Sequence, residues 1–451
     1  MITAAQQSDW LLHHLSQSAG NLPGRGLAWL ENLRREAARS VAQLPVLNRK
    51  QESWRYTSID SLLQQRFITA GADIGGLENL DISRWMLPGL DAYRLVLVNG
   101  RCLPSPASSA DLPEGVVLGS LRTALATDPD RLSAWFVRNS GRSDNLFTAL
   151  NSALINDGAL LHVGTDVVLD KPIEILHLHL GHERPLLVQP RNLLVLEPGS
   201  GVTLVERAIG ADSSAAFHNH LTEIYLSAGA SLDHYRLQDE NQRSHHLCTL
   251  FLSQQEQSRY RGTHLSFGGV WARTDCHALL QQPGGECEIN GLYTVGDEQL
   301  KDIHLRVHHA APRCTSRERF KGILHGEGRA VFDGHIIVDR GAQGSDAQLR
   351  NDNLMLTRSA EVDTKPQLEI YADDVKCSHG TTVGEVDPAQ LFYLRSRGID
   401  KAQALSMLSL GFAAEISNGI RLNALRSYLA QRLARKLGGQ TDASGMDSGN
   451  V

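Results

Sequence analysis

A thiol and an imidazole stand two positions apart in Val375-Lys376-Cys377-Ser378-His379-Gly380, at the end of a strand-like run that begins at Lys365. In an extended strand, positions i and i+2 project from one face, with their Cα atoms about 7 Å apart. Thiolate and imidazole are ligands that soft metals and iron–sulfur fragments prefer. Lys376, beside the thiol, would favour its ionised form. The flanking pattern leaves two alternatives open. Leu368, Ile370 and Ala372 put the apolar face on even positions, while Val375 and Cys377 are odd. Either a bulge at Asp373–Asp374 shifts the parity and Cys377 is an inward thiol of the core, or Cys377 points outward.

The other chemistry-bearing residues are more diffuse. All but two of the 19 histidines (His13 and His14) lie from His162 to His379, including His177/His179, His218/His220, His245-His246 and His308-His309. His-x-His on a strand suits a metal, but there is no His-Glu-x-x-His and no carboxylate ligand near these pairs in sequence. The ordinary expectation is solvated side chains spread over a broad surface. The six cysteines, at 102, 248, 276, 287, 314 and 377, include no Cys-x-x-Cys pair, so a complete cluster site needs ligands from elsewhere in the fold or from a partner. There is no P-loop, no Gly-x-Ser-x-Gly elbow and no dinucleotide-binding glycine motif, hence no sign of ATP hydrolysis, acyl transfer or nicotinamide chemistry by this chain.

The elements that must position these groups fall into three zones. Residues 1–154 read as mostly helical: Leu27, Leu30, Leu33, Ala37 and Val41 recur at helical spacing, and a second such pattern spans about 120–138. Arg94–Val98 before Asn99-Gly100 signals a strand and a tight hairpin turn. From 155 to 384, short apolar runs are cut by glycine turns. Runs starting at Leu194, Ile224, Leu250 and Leu279 repeat at intervals of 30, 26 and 29 residues. Strands at a fixed period with no helix between them are what a solenoid needs, because each coil buries its face on the next. The reading is therefore mainly β, a parallel β-helix with Val202, Leu204, Leu232, Leu279 and Leu280 inside. A sandwich would turn every 8–12 residues or so without such a repeat.

Residues 385–437 read as helical again, with Asp387-Pro388 and Asp400 as helix starts and Gly398 as a stop. Leu425, Leu429 and Leu433 form a stripe on the last helix; it packs on its own domain or docks a partner subunit. Residues 438–451, rich in Gly, Ser and Asp, read as a disordered tail.

Composition bounds the function. In 451 residues, 44 basic and 50 acidic side chains are mixed along the chain at net charge −6, and 41% are hydrophobic. Nothing there points to nucleic acid or to an anionic membrane. No signal peptide or spanning segment stands out, so the expected place is the cytoplasm. Two classes fit a β-helix of this kind: a polysaccharide-active enzyme, which would be exported and use clustered carboxylates, or a scaffold. The missing export signal and carboxylate pairs favour the scaffold.

The run Lys365–Gly384 followed by Phe392-Tyr393-Leu394-Arg395-Ser396-Arg397-Gly398-Ile399 closely resembles the C-terminal region of the SufB/SufD family of iron–sulfur cluster assembly proteins. Phe320–Leu324, Ala330–Gly334 and Asn351–Leu356 look like the same family. Cys377-Ser378-His379-Gly380 is most like its SufD branch, as is Glu52-Ser53-Trp54-Arg55-Tyr56-Thr57, with arginine where lysine is usual. The strong match covers roughly 317–415 and a weaker one most of the chain. The resemblance implies a right-handed parallel β-helix flanked by helices, in a complex with SufB and the ATPase SufC. It places the position of His379 at the SufB–SufD interface, where a transient iron–sulfur cluster forms with a SufB cysteine, and Cys377 beside it. It implies that SufC docks on the C-terminal helices, with Leu425, Leu429 and Leu433 as candidates. It also implies a link of the complex with reduced flavin, for which this chain has no motif. Whether the isolated chain forms a homodimer stays open.

Overall fold

The computed structural model describes residues 4–18, 22–45, 47–70, 80–103, 112–136, 145–211 and 214–438. The expected disordered tail lies outside the described residues, apart from Gly438 at its start.

From Arg191 onward the strands alternate between two sheets, so each pairs in parallel with the strand two places ahead. One coil is two strands and one turn at each corner, and the stack is a parallel β-solenoid. Registered side chains stack in ladders along its inside. Leu194, Ile224, Leu252, Ala278, Val307, Ile336 and Leu368 are successive rungs of one. Most of these rungs are fully buried and join one lumen core; each large one contributes about 1.5–3 kcal/mol by leaving water.

Val202, Leu204, Leu232 and Leu280 lie in that core, but Leu279 does not. Its true partners are Ser253 and His308, one position off the inward ladder. A one-residue slip exchanges the two faces of a strand. The repeat read from Leu250 and Leu279 was thus out of register by two and by one residue respectively. Corners repeat as well. Gly199 and Gly229 both have positive φ (69° and 68°) and stack, and a Cβ on Gly199 would sit 2.2 Å from Asp166 Oδ1, so glycine is favoured there.

The N-terminal region feeds both sheets. Tyr93–Val98 pairs with Ile173–His179 and, through Asn99-Gly100, with Arg101–Cys102. Val116–Ser120 pairs antiparallel with Ala159–Val163. Helices Ala4–Ser18 and Ala28–Gln43 cover the outer face: Trp10, Val41, Trp54 and Phe147 cluster with Phe217, Leu247 and Trp271. The second helical pattern is broken at Asp128 into Leu121–Thr127 and Pro129–Phe136. At the other end, Asp387 caps helix Pro388–Ser396 through Ala389 N–H and Asp400 caps Lys401–Ser417 through Gln403 N–H.

Leu425, Leu429 and Leu433 on the last helix, Asn423–Gly438, are 1%, 0% and 2% exposed. They pack on Tyr235, Leu237, Leu265, Phe267, Leu292 and Ile323 of the solenoid, and Arg432 clamps Asp239 with two hydrogen bonds of 2.5 and 2.7 Å. The stripe is used inside the chain, not presented as a groove-reading surface. Its spacing alone could not distinguish the two, because an outer solenoid face needs the same apolar stripe as a partner's groove.

Candidate functional site at the open end of the solenoid

Glu361–Ile370 and Lys376–Glu385 make the last coil. Residues 371–375 are a corner between two strands, not a bulge within one. The parity therefore restarts at Lys376, and the thiol–imidazole pair opens the last strand instead of closing the run before it.

Cys377 registers with Ala347, and His379 with Leu349. Both neighbours are core residues of the lumen. Cys377 and His379 thus share the lumen-facing row, as the i, i+2 spacing requires, at the end where no described strand stacks over them. Cys377 is half-buried against the core and His379 is exposed. Burial pushes the Cys377 thiol above its ordinary value, and Asp346 adds to this. Lys376 does not enforce a thiolate here: alternation sends it to the opposite face, where it is exposed.

The coil beneath is held rigidly. Tyr293 OH donates to Asn353 Oδ1 (2.6 Å), Asn353 to Asn351 Oδ1 (2.7 Å), and Asn351 to the Tyr293 oxygen (3.1 Å). Thr364 of the last coil donates to Asn351 Oδ1 (3.1 Å). Thr382 donates to Asp352 Oδ1 at 2.6 Å. The N-terminal motif anchors further back on the outer wall. Arg273 stacks over Trp54 at 4.0 Å, and Thr57 donates to Asp302 Oδ2 at 2.6 Å.

The histidines are where the sequence reading fails. His177, His179, His218, His220, His234, His246 and His309 are buried, most of them pointing into the lumen, and not solvated. Burial drives His218 down to about 3 and His220 well below its ordinary value; both are held as neutral imidazoles. Between the sheets stands Glu206, which no spacing rule connected to them. His177 Nε2 lies 3.5 Å from its Oε1, while His234 Nε2 (3.1 Å) and Arg236 Nε (3.2 Å) meet its Oε2. A faint signal existed: Val202, Leu204 and Glu206 share one parity, so an inward strand carries a carboxylate.

Two family models match. One, "SUF system FeS cluster assembly, SufBD core domain", covers residues 179–412, and the other, "SufBD protein N-terminal region", covers 6–175. The chain belongs to the SufBD family. A SufBD family protein of Synechocystis described as functioning in iron-sulfur cluster assembly is 32% identical over 414 residues, covering 89% of this chain and 90% of that relative. The iron-sulfur cluster assembly protein SufD of Escherichia coli is 32% identical over 397 residues (87% and 89%). SufD of Bacillus subtilis is 26% identical over 427 residues (91% and 94%). The two matches together span the N-terminal region and the coil stack and end before the last helix, Asn423–Gly438. Among the described residues, no helix is long and apolar enough to cross a membrane.

Proposed function

We propose that this chain is a SufD-like subunit of a cytoplasmic iron–sulfur cluster assembly complex, which pairs with SufB through its last coil. The observation that carries the reading is that Cys377 and His379 face the lumen on strand Lys376–Glu385, whose outer edge pairs with no described strand. An unpaired edge presents a row of N–H and C=O groups ready to receive another chain. The imidazole of His379 then stands at the junction as one ligand, with a SufB thiol completing the set and the nascent cluster as the cargo. This chain acts as scaffold without catalysis of its own, and SufC supplies ATP hydrolysis. Reduced flavin belongs, on this reading, to the assembled complex and not to a pocket of this chain.

For SufC, the C-terminal helices offer a different surface from the leucine stripe. Phe392 and Tyr393 are 73% and 57% exposed on Pro388–Ser396, and Met407 is 47% exposed on Lys401–Ser417. Large apolar side chains left in water favour a partner's contact. The test is amide hydrogen exchange of the chain alone and with SufB and SufC. Protection of residues 376–385 on adding SufB supports the edge pairing. Unchanged exchange there, in a complex that co-purifies, overturns it.

A further inference from the structure

The lumen cluster lies apart from the open coil, and its geometry stands independently of the function proposed above. His177, Glu206 and His220 each offer one ligand atom, and all three atoms lie within 4.8 Å of one another. They come from three strands on two sheets: Ile173–His179 and Gly201–Gly210 on one, Ala216–Leu226 on the other. His220 is 1% exposed, and its Nε2 has no hydrogen-bond partner among the described residues. A buried ring nitrogen without a partner is costly unless something arrives to use its lone pair. Beside it is a cavity of about 30 Å³, lined by Glu206, His220, Arg236, His246, His264 and Thr274 but not by His177, so it adjoins the three-ligand cluster on the His220 side. That is room for an ion or a water and for nothing larger.

We propose that His177, Glu206 and His220 form a buried site for a first-row divalent cation of borderline softness, Fe²⁺ or Zn²⁺. Two imidazoles and one carboxylate are the donor set such ions take, where Ca²⁺ and Mg²⁺ require oxygens. Ligand atoms around one ion at about 2.1 Å sit roughly 3.4 Å apart, close to the 3.5 Å already separating His177 Nε2 from Glu206 Oε1. The His220 ligand atom lies within 4.8 Å of both, so a modest closure completes the set. The other carboxylate oxygen is held by His234 and Arg236, and Asn192 Nδ2 donates to Oε1 at 3.1 Å, an outer shell of the kind that aims a ligand. Arg236 also offsets the charge of Glu206, so the incoming cation is only partly compensated. The site suits an exchangeable ion more than a permanent structural one.

The test uses the full-length chain carrying Cys377→Ser and His379→Ala, so that the open coil contributes no ligand. The protein is stripped with chelator and titrated anaerobically with Co²⁺ as a visible probe. One Co²⁺ per chain with d–d absorption is expected, weakened about tenfold or more by His220→Gln while circular dichroism and melting stay unchanged. Displacement of Co²⁺ by Fe²⁺ and by Zn²⁺, in separate arms, shows which ion the site fits. Absence of stoichiometric Co²⁺, or equal binding in folded His220→Gln, overturns the proposal. Should His220→Gln fail to fold, X-ray absorption of the Co²⁺-loaded parent decides. Two imidazoles in the shell support the site; a sulfur-rich or all-oxygen shell overturns it.

Discussion

Replacing Glu318 with glutamine is expected to stabilise the solenoid at alkaline pH and to flatten its pH dependence. Glu318 sits on strand Thr315–Leu324, in the lumen-facing row, in register with Ile289 on one side and Leu349 on the other. It is 2% exposed; among the described residues neither carboxyl oxygen makes a well-formed hydrogen bond, and Ser316 offers only a weak offset to its burial. Burial between apolar rungs pushes its acid up from 4.5 to about 8. The unfolded chain ionises near 4.5, so between that value and 8 the native state holds the extra proton. The sign follows: the stability tied to this group is intact below pH 4.5, declines as pH rises, and is fully lost above about 8. At about 1.36 kcal/mol per pH unit, a span of about 3.5 units sets an upper bound near 5 kcal/mol. Glutamine keeps the size and cannot ionise. Urea melts of both proteins at pH 5, 6.5 and 8 should nearly coincide at the acid end and separate progressively toward pH 8, with the variant more stable. Parallel pH profiles would refute the reasoning, since they would mean that Glu318 pays no desolvation cost.

The two adjacent leucines at the slipped register should behave oppositely. Leu280→Asp buries an unpaired charge in the core and should abolish soluble folded protein, while Leu279→Asp should shift the melt by less than about 1 kcal/mol. Leu429→Ala should cost about 2–5 kcal/mol by opening a cavity under the last helix, with SufC retention unchanged in whatever fraction stays folded. Phe392→Ser with Tyr393→Ser should leave the melt unchanged and lower SufC retention in co-purification; normal retention would remove that surface from the account.

Local chemistry was legible where one short-range effect decides it. Asn99-Gly100 closes the hairpin through two positive φ angles (47° and 78°), and the Asp387 and Asp400 side chains cap their helices as such residues do. The solenoid itself was legible from its period. Register was not, because a leucine pair such as Leu279-Leu280 fits either face and only the stacked neighbours choose. The face shared by Cys377 and His379 followed from alternation, whereas the corner at 371–375 that resets their parity reads like a bulge in one dimension. The Glu206 cluster was invisible for a further reason. Its members lie 29 and 14 residues apart along the chain, and only coil stacking brings them together.

The central claim is that His379 supplies a ligand at the junction with SufB. It is tested most directly by co-expressing the His379→Ala chain with SufB and SufC and measuring iron and sulfide bound per purified complex under anaerobic reconstitution. The account predicts a complex of normal composition whose cluster loading falls about tenfold or more. Cys377→Ser, which alters a half-buried thiol that burial keeps protonated, should have a smaller effect. A His379→Ala complex that loads iron and sulfide at the normal rate and to the normal amount would contradict it, leaving the last coil as an interface former without a ligand of its own.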